Sequence, residues 1–347
     1  MMKLLSTYEY EVSIIVISFN TRDLLRECLT SLQAECASLG ASAEVLVVDN
    51  GSRDGSAEMV DAEFTKAGLD SGNDSGNPVR LIRSDVNLGF AAANNIAMEQ
   101  ARGRFIVLLN SDAFFHAGAL KIAVGHMEAD PTIGVGGARL VSRDGAWQPS
   151  ARTFHSIWID AIVLTGLASR FPRSRVFGSP DRTWADPNEP AEVDWVPGAF
   201  SIMRREALAK TGLFDPAFFL YYEEVDLCLR VKEAGFRVLY WPDVVVTHIG
   251  GESGRQLKSL KFSKTGAQVV LWRMRATLLY YRKHHGSQAW LAKELEETIY
   301  RLRWIRNRFS KSAARRERAE EATLLLDMMR QAWNETNGGR ISPPRPW

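Results

Sequence analysis

The chain has 347 residues, of which 46% are hydrophobic and 24% are charged. This composition is typical of a folded protein with one large domain or two modest ones, and it excludes a disordered chain. The net charge of +2 combines two unlike parts, because residues 1–254 carry 23 Lys and Arg against 33 Asp and Glu, whereas residues 255–318 carry 17 against 4. A basic segment on an acidic body predicts an anionic partner for that segment.

Targeting signals are weak in this sequence. Residues 1–11 lack the apolar core of a signal peptide, and no apolar run approaches the roughly 20 residues of a membrane span. Three cysteines without close pairing favour a reducing compartment. We therefore expect a cytoplasmic protein.

The first half of the chain alternates strands with helices. The predicted strands cover residues 12–18, 44–48, 79–83, 104–109 and 133–141, and helical patterns separate them. This alternation predicts an α/β fold with a mostly parallel sheet that is covered by helices on both faces.

Polar residues follow three of these strands: Asn20 after the first, Asp49 and Asn50 after the second, and Asn110 to Asp112 after the fourth. Ligands of open α/β sheets bind outside the carboxyl ends of the strands, so these loops predict a ligand crevice. The Asp112 carboxylate suits Mg²⁺ or Mn²⁺ holding a diphosphate, although it could instead cap the helix that begins near Gly118. Neither the G-x-G-x-x-G fingerprint nor a P-loop is present in the sequence.

The second half is less regular at first. Residues 142–192 are rich in Pro, Arg and Trp and contain an amphipathic helix at 157–167, which we expect at a domain edge or on a membrane surface. A strand kinked at Pro-Gly is predicted at 193–203, followed by a helix at 205–211 and strands at 237–241 and 244–247. His248 ends the last strand, where a structural hydrogen bond is the simplest role for it.

A later helix begins with three acids in its first turn: Glu223, Glu224 and Asp226. The helix dipole favours acids at this end, which is a sufficient structural explanation for some of them. Asp226 can pair with Arg230 four residues further on, whereas Glu224 falls on another side of the helix and is freer to act.

Taken in order, these residues resemble an inverting nucleotide-sugar glycosyltransferase of family two, with the GT-A fold, and they look most like the rhamnosyltransferase subgroup. The resemblance covers about residues 12–253. The matching motifs are Val16-Ile17-Ser18-Phe19-Asn20, Val47-Val48-Asp49-Asn50-Gly51-Ser52, Asn87-Leu88-Gly89-Phe90 with Asn94-Asn95, Leu108-Leu109-Asn110-Ser111-Asp112, the Gly198 loop, Glu223-Glu224-Val225-Asp226-Leu227, and His248.

The resemblance implies a nucleotide-sugar site. Asn20 and Asp49 would contact the nucleoside, and Gly89 would leave room for the nucleotide. The full set that the resemblance implies is Phe19, Asn20, Asp49, Asn50, Asn87, Gly89, Asn110, Ser111 and Gly198.

The resemblance also implies a metal site and a catalytic base. Asp112 would be the metal carboxylate of the family's D-x-D motif, whose first position is Asn110 here, and His248 matches a further ligand of Mg²⁺ or Mn²⁺. The base would be Glu224, with Glu223 and Asp226 as alternates.

The expected activity is transfer of a sugar, rhamnose from dTDP-rhamnose, to a glycan or a polyprenyl-diphosphate-linked acceptor in cell-surface polysaccharide synthesis. Two alternatives remain open. One is a transferase of the same fold that uses a UDP-hexose or UDP-N-acetylhexosamine donor, and the other is a non-catalytic assembly protein that binds a nucleotide sugar.

We expect a catalytic domain at 1–254, a basic amphipathic helical extension at 255–336 and a flexible tail at 337–347. The extension interleaves aromatic residues with arginines, which suits an anionic membrane surface at the inner face of the plasma membrane. Alternatively, its helices pack on the catalytic domain and leave a solvated basic face. Nucleic-acid binding is not expected, because no such motif accompanies the charge.

Overall fold

A computed structural model describes residues 8–65, 79–249 and 264–343. Ten strands form one mixed sheet, in which eight run in the order β3-β2-β1-β4-β9-β6-β10-β5 while β7 pairs with β6 and β8 pairs with β10. The strands are β1 Tyr10–Ser18, β2 Ala43–Asn50, β3 Val79–Ser84, β4 Gly103–Asn110, β5 Ala113–Phe115, β6 Ile133–Val141, β7 Trp147–Gln148, β8 Ala191–Glu192, β9 Phe200–Arg204 and β10 Arg237–His248.

Helices cover both faces of the sheet and continue beyond it at the C-terminal end. A π-helical turn, Asp61–Thr65, extends the second helix. The helices are α1 Arg22–Leu39, α2 Ser56–Val60, α3 Phe90–Gln100, α4 Ala119–Ala129, α5 Ile157–Leu164, α6 Leu167–Arg170, α7 Arg205–Thr211, α8 Glu223–Glu233, α9 Lys264–His285, α10 Gln288–Asn307 and α11 Ala313–Glu335.

Burial on both faces explains why the central strands are apolar at every position. In β1, Ile14 and Val16 enter the core beneath α1 and α4, whereas Ile15 enters the opposite core beneath α3. Side chains of a strand alternate between the two faces, so a strand with a helix layer on each side needs apolar residues throughout. The predicted α/β sheet with helices on both faces is confirmed.

Parallel pairing at the centre of the sheet brings the predicted loops together. β1 lies between β2 and β4, parallel to both, with Ser18 opposite Asp49 and Ile17 opposite Asn110. The carboxyl ends of the three strands therefore form one rim.

Three strand predictions need correction. Of the strand expected at 193–203, only Phe200–Arg204 is a strand, antiparallel to β4 and β6. The two strands expected at 237–241 and 244–247 are one strand, β10, with a register shift between Trp241 and Val245. The short strand β5 was not predicted, and its antiparallel pairing sets Ala113 opposite His248.

The helices of the extension pack on the catalytic part of the chain. Tyr222 and Val225, at the start of α8, share an apolar cluster with Tyr280 and Tyr281 of α9. The described part of the expected flexible tail, residues 337–343, is instead held against the rest, since Arg282 Nε donates to the Gly338 carbonyl at 2.9 Å and Ser342 Oγ to the Ala217 carbonyl at 2.7 Å. Within the described ranges, no helix has both the length and the apolarity needed to cross a membrane.

Candidate active site

A cleft opens at the rim where β1 and β2 end. Its volume is about 360 Å³, in the usual range of small-ligand pockets. It is lined by Phe19, Asn20, Gly51, Arg53, Asp85, Val86 and Asn87. Three of these, Phe19, Asn20 and Asn87, are predicted site residues, whereas the charged side chains of Arg53 and Asp85 had not been singled out.

Asn20 lines this cleft, and Asp49 precedes Gly51 and Arg53, which line it as well. Asn20 adopts a left-handed backbone (φ 55°), and its side-chain oxygen accepts from the Arg53 N–H at 2.8 Å. Asp49 is 5% exposed; its Oδ2 accepts from the Ser52 N–H at 3.2 Å, and its Oδ1 has no protein partner. A buried carboxylate oxygen without a donor is costly, so Asp49 Oδ1 is a natural acceptor for a ligand hydroxyl or amide.

The side-chain amide of Asn50 forms its hydrogen bonds within the protein. Its Nδ2 donates to Asn87 Oδ1 at 3.1 Å and to the Gly89 carbonyl at 3.2 Å, and its Oδ1 accepts from the Leu88 N–H at 2.8 Å. These bonds use both ends of the amide, so Asn50 positions the loop at 87–89 rather than contacting a ligand.

Gly89 does not leave open space for a nucleotide. Its φ is 82°, and a Cβ there would lie 2.3 Å from the Phe219 carbonyl oxygen and 2.6 Å from the Phe219 ring. The same carbonyl accepts from the Phe90 N–H at 2.7 Å. The prediction for Gly89 is therefore corrected: the missing side chain lets Phe219 approach, and that contact ties α3 to the segment before α8.

Asp112 and His248 meet where β5 pairs with β10. His248 Nε2 lies 3.4 Å from Asp112 Oδ1 and 3.5 Å from Asn110 Nδ2. On the other side of the ring, Nδ1 lies 3.3 Å from Gln148 Oε1. With its proton on Nδ1, His248 donates to Gln148 and turns the Nε2 lone pair toward Asp112, which is the arrangement found for histidine ligands of metals.

The helix that follows Asp112, α4, is capped at its N-terminus by Glu35 and not by Asp112. The buried Glu35 carboxylate accepts from the N–H groups of Gly118, at 2.7 Å, and Leu120, at 3.1 Å, at the start of α4. The capping alternative for Asp112 is wrong. Ser111 accepts from Thr21 Oγ1 at 2.9 Å and is 7% exposed, so it links the ends of β1 and β4.

The side chains of Asp112 and His248 fit a divalent cation that is also bound by phosphate. Among residues 8–65, 79–249 and 264–343, no group of three or more His, Cys, Asp and Glu side chains is arranged to hold a metal ion by itself. Mg²⁺ is usually bound by one or two carboxylates together with substrate phosphates and water. One carboxylate and one imidazole nitrogen, each about one-fifth exposed, match that incomplete set.

The acid helix α8 begins in a strained backbone. Tyr221 and Tyr222 both have left-handed conformations, with φ of 71° and 69°. Such conformations cost roughly 1–3 kcal/mol each in residues other than glycine, and they concentrate at functional sites. The Tyr222 ring is held in place by the rings of His155, at 4.6 Å, and Tyr280, at 5.2 Å.

Glu223 and Glu224 differ in access. Burial raises the pKa of Glu224, while the Gly198 N–H and the nearby Arg152 and His155 favour its ionised form. Glu223 is 3% exposed, and burial together with the charge of Glu224 raises its pKa well above the ordinary value. Glu224 is therefore the partly exposed acid, and Glu223 is the buried one, whose charged form burial disfavours.

A short connection joins Glu224 to the Asp112 side of the rim. Gly198 hydrogen-bonds the Glu224 carboxylate through its N–H, and the carbonyl of the next residue, Ala199, accepts from the Asn110 N–H at 3.1 Å. A short run of backbone thus links the Glu224 carboxylate to the end of β4, two residues before Asp112. Arg152, His155 and Gln148 were missed, because residues 142–192 have no periodicity that places individual side chains.

Asp226 has a different role from the other two acids. It is fully buried, and its Oδ1 is bonded to His284 at 2.7 Å and to Lys283 at 2.6 Å, while Oδ2 accepts from Arg230 at 2.7 Å. Burial would raise its pKa, but His284, Lys283 and Arg230 outweigh it and lower the pKa to about 2. Asp226 joins α8 to α9 and has no oxygen left for a substrate.

Comparison with known proteins identifies the family. The sequence model described as Glycosyl transferase family 2 matches residues 13–212. An N-acetylglucosaminyl-diphospho-decaprenol L-rhamnosyltransferase of Mycobacterium tuberculosis is 27% identical over 232 residues, which cover 62% of this chain and 71% of the relative. Rhamnosyltransferase WbbL of Escherichia coli is 32% identical over 88 residues, 25% of this chain and 30% of that protein.

Two solved structures share the fold at low sequence identity. The mannosyltransferase PcManGT from Pyrobaculum calidifontis, in complex with GDP-Man and Mn²⁺, has a TM-score of 0.50 and 18% identity over 95% of this chain and 76% of its own. GalNAc-T7, with UDP, GalNAc and Mn²⁺, has a TM-score of 0.53 and 16% identity over 84% of this chain and 55% of its own. Both are glycosyltransferase structures, so the likeness confirms the predicted GT-A fold.

Proposed function

The chain belongs to glycosyl transferase family 2, and on that basis we propose that it is an inverting enzyme that moves rhamnose from dTDP-rhamnose to a polyprenyl-diphosphate-linked glycan. The two rhamnosyltransferase relatives support the choice of sugar, and the diphospho-decaprenol named for the mycobacterial protein supports the class of acceptor. Such an acceptor places the reaction at the inner face of the plasma membrane, in the synthesis of a cell-surface polysaccharide.

The observation that carries the proposal is the Gly198–Ala199 connection. It links Glu224, the partly exposed acid in the first turn of α8, to the strand end beside Asp112, which supports a shared site. Direct displacement at a sugar carbon needs a base on one side of that carbon and a stabilised diphosphate on the other.

In the proposed mechanism, the nucleoside lies in the cleft beside Asn20 and Arg53, with Asp49 Oδ1 accepting one of its hydrogen bonds. Asp112 and His248 would hold Mg²⁺ or Mn²⁺. When bound, the cation supplies positive charge that stabilises the departing diphosphate.

Glu224 then acts as the general base. It takes the proton of the attacking acceptor hydroxyl while that oxygen bonds to the anomeric carbon, and the diphosphate leaves from the opposite face with the electrons of the broken bond. Configuration inverts in this one step. The raised pKa of Glu224 makes its carboxylate a stronger base than an exposed glutamate.

The test compares Glu224→Gln with Glu223→Gln. Glutamine keeps the shape of Glu224 but cannot accept the proton, so kcat should fall by about 10²–10⁴ while nucleotide affinity stays unchanged. Burial disfavours the charged form of Glu223 and this residue takes no proton in the proposed step, so its replacement by glutamine should leave kcat nearly intact. Near wild-type turnover by Glu224→Gln would refute its assignment as the base.

The donor is tested separately by thermal shift with dTDP-rhamnose and a panel of UDP-sugars, each in Mn²⁺, Mg²⁺ or EDTA. Stabilisation should be largest for dTDP-rhamnose with a divalent cation. A larger shift with a UDP-hexose or UDP-N-acetylhexosamine would replace the proposed donor, and no shift with any nucleotide sugar would refute the proposed function.

A further inference from the structure

Helix α10 presents apolar side chains to solvent along one stripe. Leu291 is 44% exposed, Leu302 60%, Ile305 54% and Phe309, just after the helix, 82%. The last three follow Leu291 by 11, 14 and 18 residues, close to three, four and five whole helical turns, so the four side chains lie on one line. We call these four residues the α10 stripe.

Two of the three acids of α10 face the opposite way, whereas the third, Glu294, is partly exposed. Glu296 and Glu297 are 4% and 1% exposed. Glu296 Oε2 accepts from Tyr300 at 2.8 Å, and Glu297 pairs with Lys293 at 2.8 Å and with Arg301. A surface helix normally turns its apolar side inward and its charges outward, whereas α10 buries two of its acids and exposes an apolar stripe.

Basic residues border the stripe. Residues 301–318 contain eight Arg and Lys but one acid, Glu317. Arg306 and Arg308 are exposed, and the Arg308 guanidinium lies 4.2 Å from the ring centres of both Trp304 and Phe309. Apolar side chains flanked by arginines match the headgroup region of an anionic bilayer, which accepts both.

Helix α5 connects α10 to the neighbourhood of Glu224. Helix α5 packs against α10 and adds Trp158, which is 60% exposed. Just before α5, His155 bonds to Asp160 at 2.7 Å and contributes charge beside Glu224. Helix α5 therefore links α10 to the segment at His155, whose charge acts on Glu224.

We propose that the α10 stripe, with Arg306 and Arg308 beside it, docks on an anionic phospholipid surface. Docking brings the rim of the cleft to the headgroup level, where the diphosphate and first sugars of a lipid-linked acceptor lie. The placement of the acceptor rests on the proposed function, whereas the docking itself does not. Single exposed apolar residues are ordinary on protein surfaces, but an aligned series with a basic border and inward-facing acids marks an interaction surface.

The experiment is co-sedimentation of the full chain with phosphatidylcholine vesicles, with or without about one-third phosphatidylglycerol. The wild type should bind the anionic vesicles and lose binding at high salt. Leu302→Glu/Ile305→Glu should reduce the partition coefficient at least tenfold, since both side chains lose their apolar contact and add repulsive charge. Arg306→Gln/Arg308→Gln keeps the stripe and should reduce partitioning roughly fivefold for each arginine.

Ile122→Glu on α4 is the control, because Ile122 is an exposed apolar residue (38%) on another helix. It should bind vesicles like the wild type. The proposal is overturned if the wild type does not bind anionic vesicles, or if Leu302→Glu/Ile305→Glu binds as the wild type does. It is also overturned if sedimentation velocity shows a dimer that this variant abolishes while vesicle binding is absent, since a second copy would then cover the stripe.

Nucleotide binding is measured on the same samples. The stripe is separate from the cleft, so Leu302→Glu/Ile305→Glu should retain wild-type nucleotide affinity. Vesicle binding without nucleotide-sugar binding would count against the proposed function alone, and nucleotide-sugar binding without vesicle binding would count against docking alone.

Discussion

Replacing Asp226 by Asn should destabilise the fold without removing the catalytic base. In the wild type, this fully buried carboxylate accepts hydrogen bonds from His284, Lys283 and Arg230. Asparagine has nearly the same shape but no charge. The substitution leaves the three basic groups without the anion that they surround.

The expected loss is about 2–4 kcal/mol at pH 7. The fall of the Asp226 pKa from 3.8 to about 2 corresponds to about 2 kcal/mol of stability. Removing one partner of a buried ion pair costs about 3–5 kcal/mol in general. The cost should be at the lower end, because Arg230 keeps bonds to the Thr211 and Leu213 carbonyls and Lys283 keeps Asp215 at 2.6 Å.

The pH dependence follows from the direction of the shift. Because folding lowers the pKa of Asp226, its contribution is complete above the unfolded value of 3.8 and is lost as the pH falls toward 2. The stability difference between the wild type and Asp226→Asn should therefore narrow by about half between pH 5 and pH 3.

Urea unfolding at several pH values measures these differences, and Asp23→Asn provides the control. Asp23 also pairs with an arginine, Arg26, but its side chain is 75% exposed, so the same chemical change should cost less than about 1 kcal/mol. If Asp226→Asn costs no more than Asp23→Asn, the buried cluster does not stabilise the fold as argued. If the folded variant loses kcat by two orders of magnitude or more while Glu224→Gln retains near wild-type turnover, Asp226 and not Glu224 is the base.

Three other outcomes are expected. Gly89→Ala should destabilise the protein by about 1–3 kcal/mol from backbone strain alone, and it should lower kcat by displacing Phe219. An unchanged free energy of unfolding in urea would show that the segment at Phe219 can move away from residue 89 at no cost. Asp112→Asn should weaken nucleotide diphosphate binding in Mn²⁺ but not in EDTA, as measured by calorimetry, and equal affinities in Mn²⁺ would contradict a metal role. Because burial raises the pKa of Glu224 next to Glu223, Arg152 and His155, kcat/KM should fall on acidification at a pH above 4.5, and full activity at pH 4.5 would refute this.

The central sheet was predictable because its sequence signal is local. A strand such as β4, with helices on both faces, must be apolar at consecutive positions, and the polar residues that end it mark the rim. The helix at Arg205–Thr211 and the strand at Ile133–Val141 were predicted with the bounds that the structure has. The prediction that the three polar loops share one rim follows from parallel pairing alone.

The misses have a common physical cause, which is that they depend on contacts between distant segments. Nothing near Gly89 in the sequence indicates that Phe219 fills its empty space. Likewise, Glu35 caps a helix that begins more than 80 residues later. The sequence predicted an anionic membrane surface for the extension, but which side chains of α10 face solvent depends on its packing against α9 and α11.

The C-terminal extension contributes to the positioning of the catalytic acid. The family match ends at residue 212, before α8 begins at Glu223. Tyr222, just before α8, keeps its strained backbone while Thr277 of α9 donates to its hydroxyl at 3.1 Å and Tyr280 contacts its ring. On the other side of Glu224 in the chain, Asp226 is hydrogen-bonded to His284, which also belongs to α9. Since α9 holds the residues on both sides of Glu224, the position of this proposed base depends on a helix that lies beyond the family match.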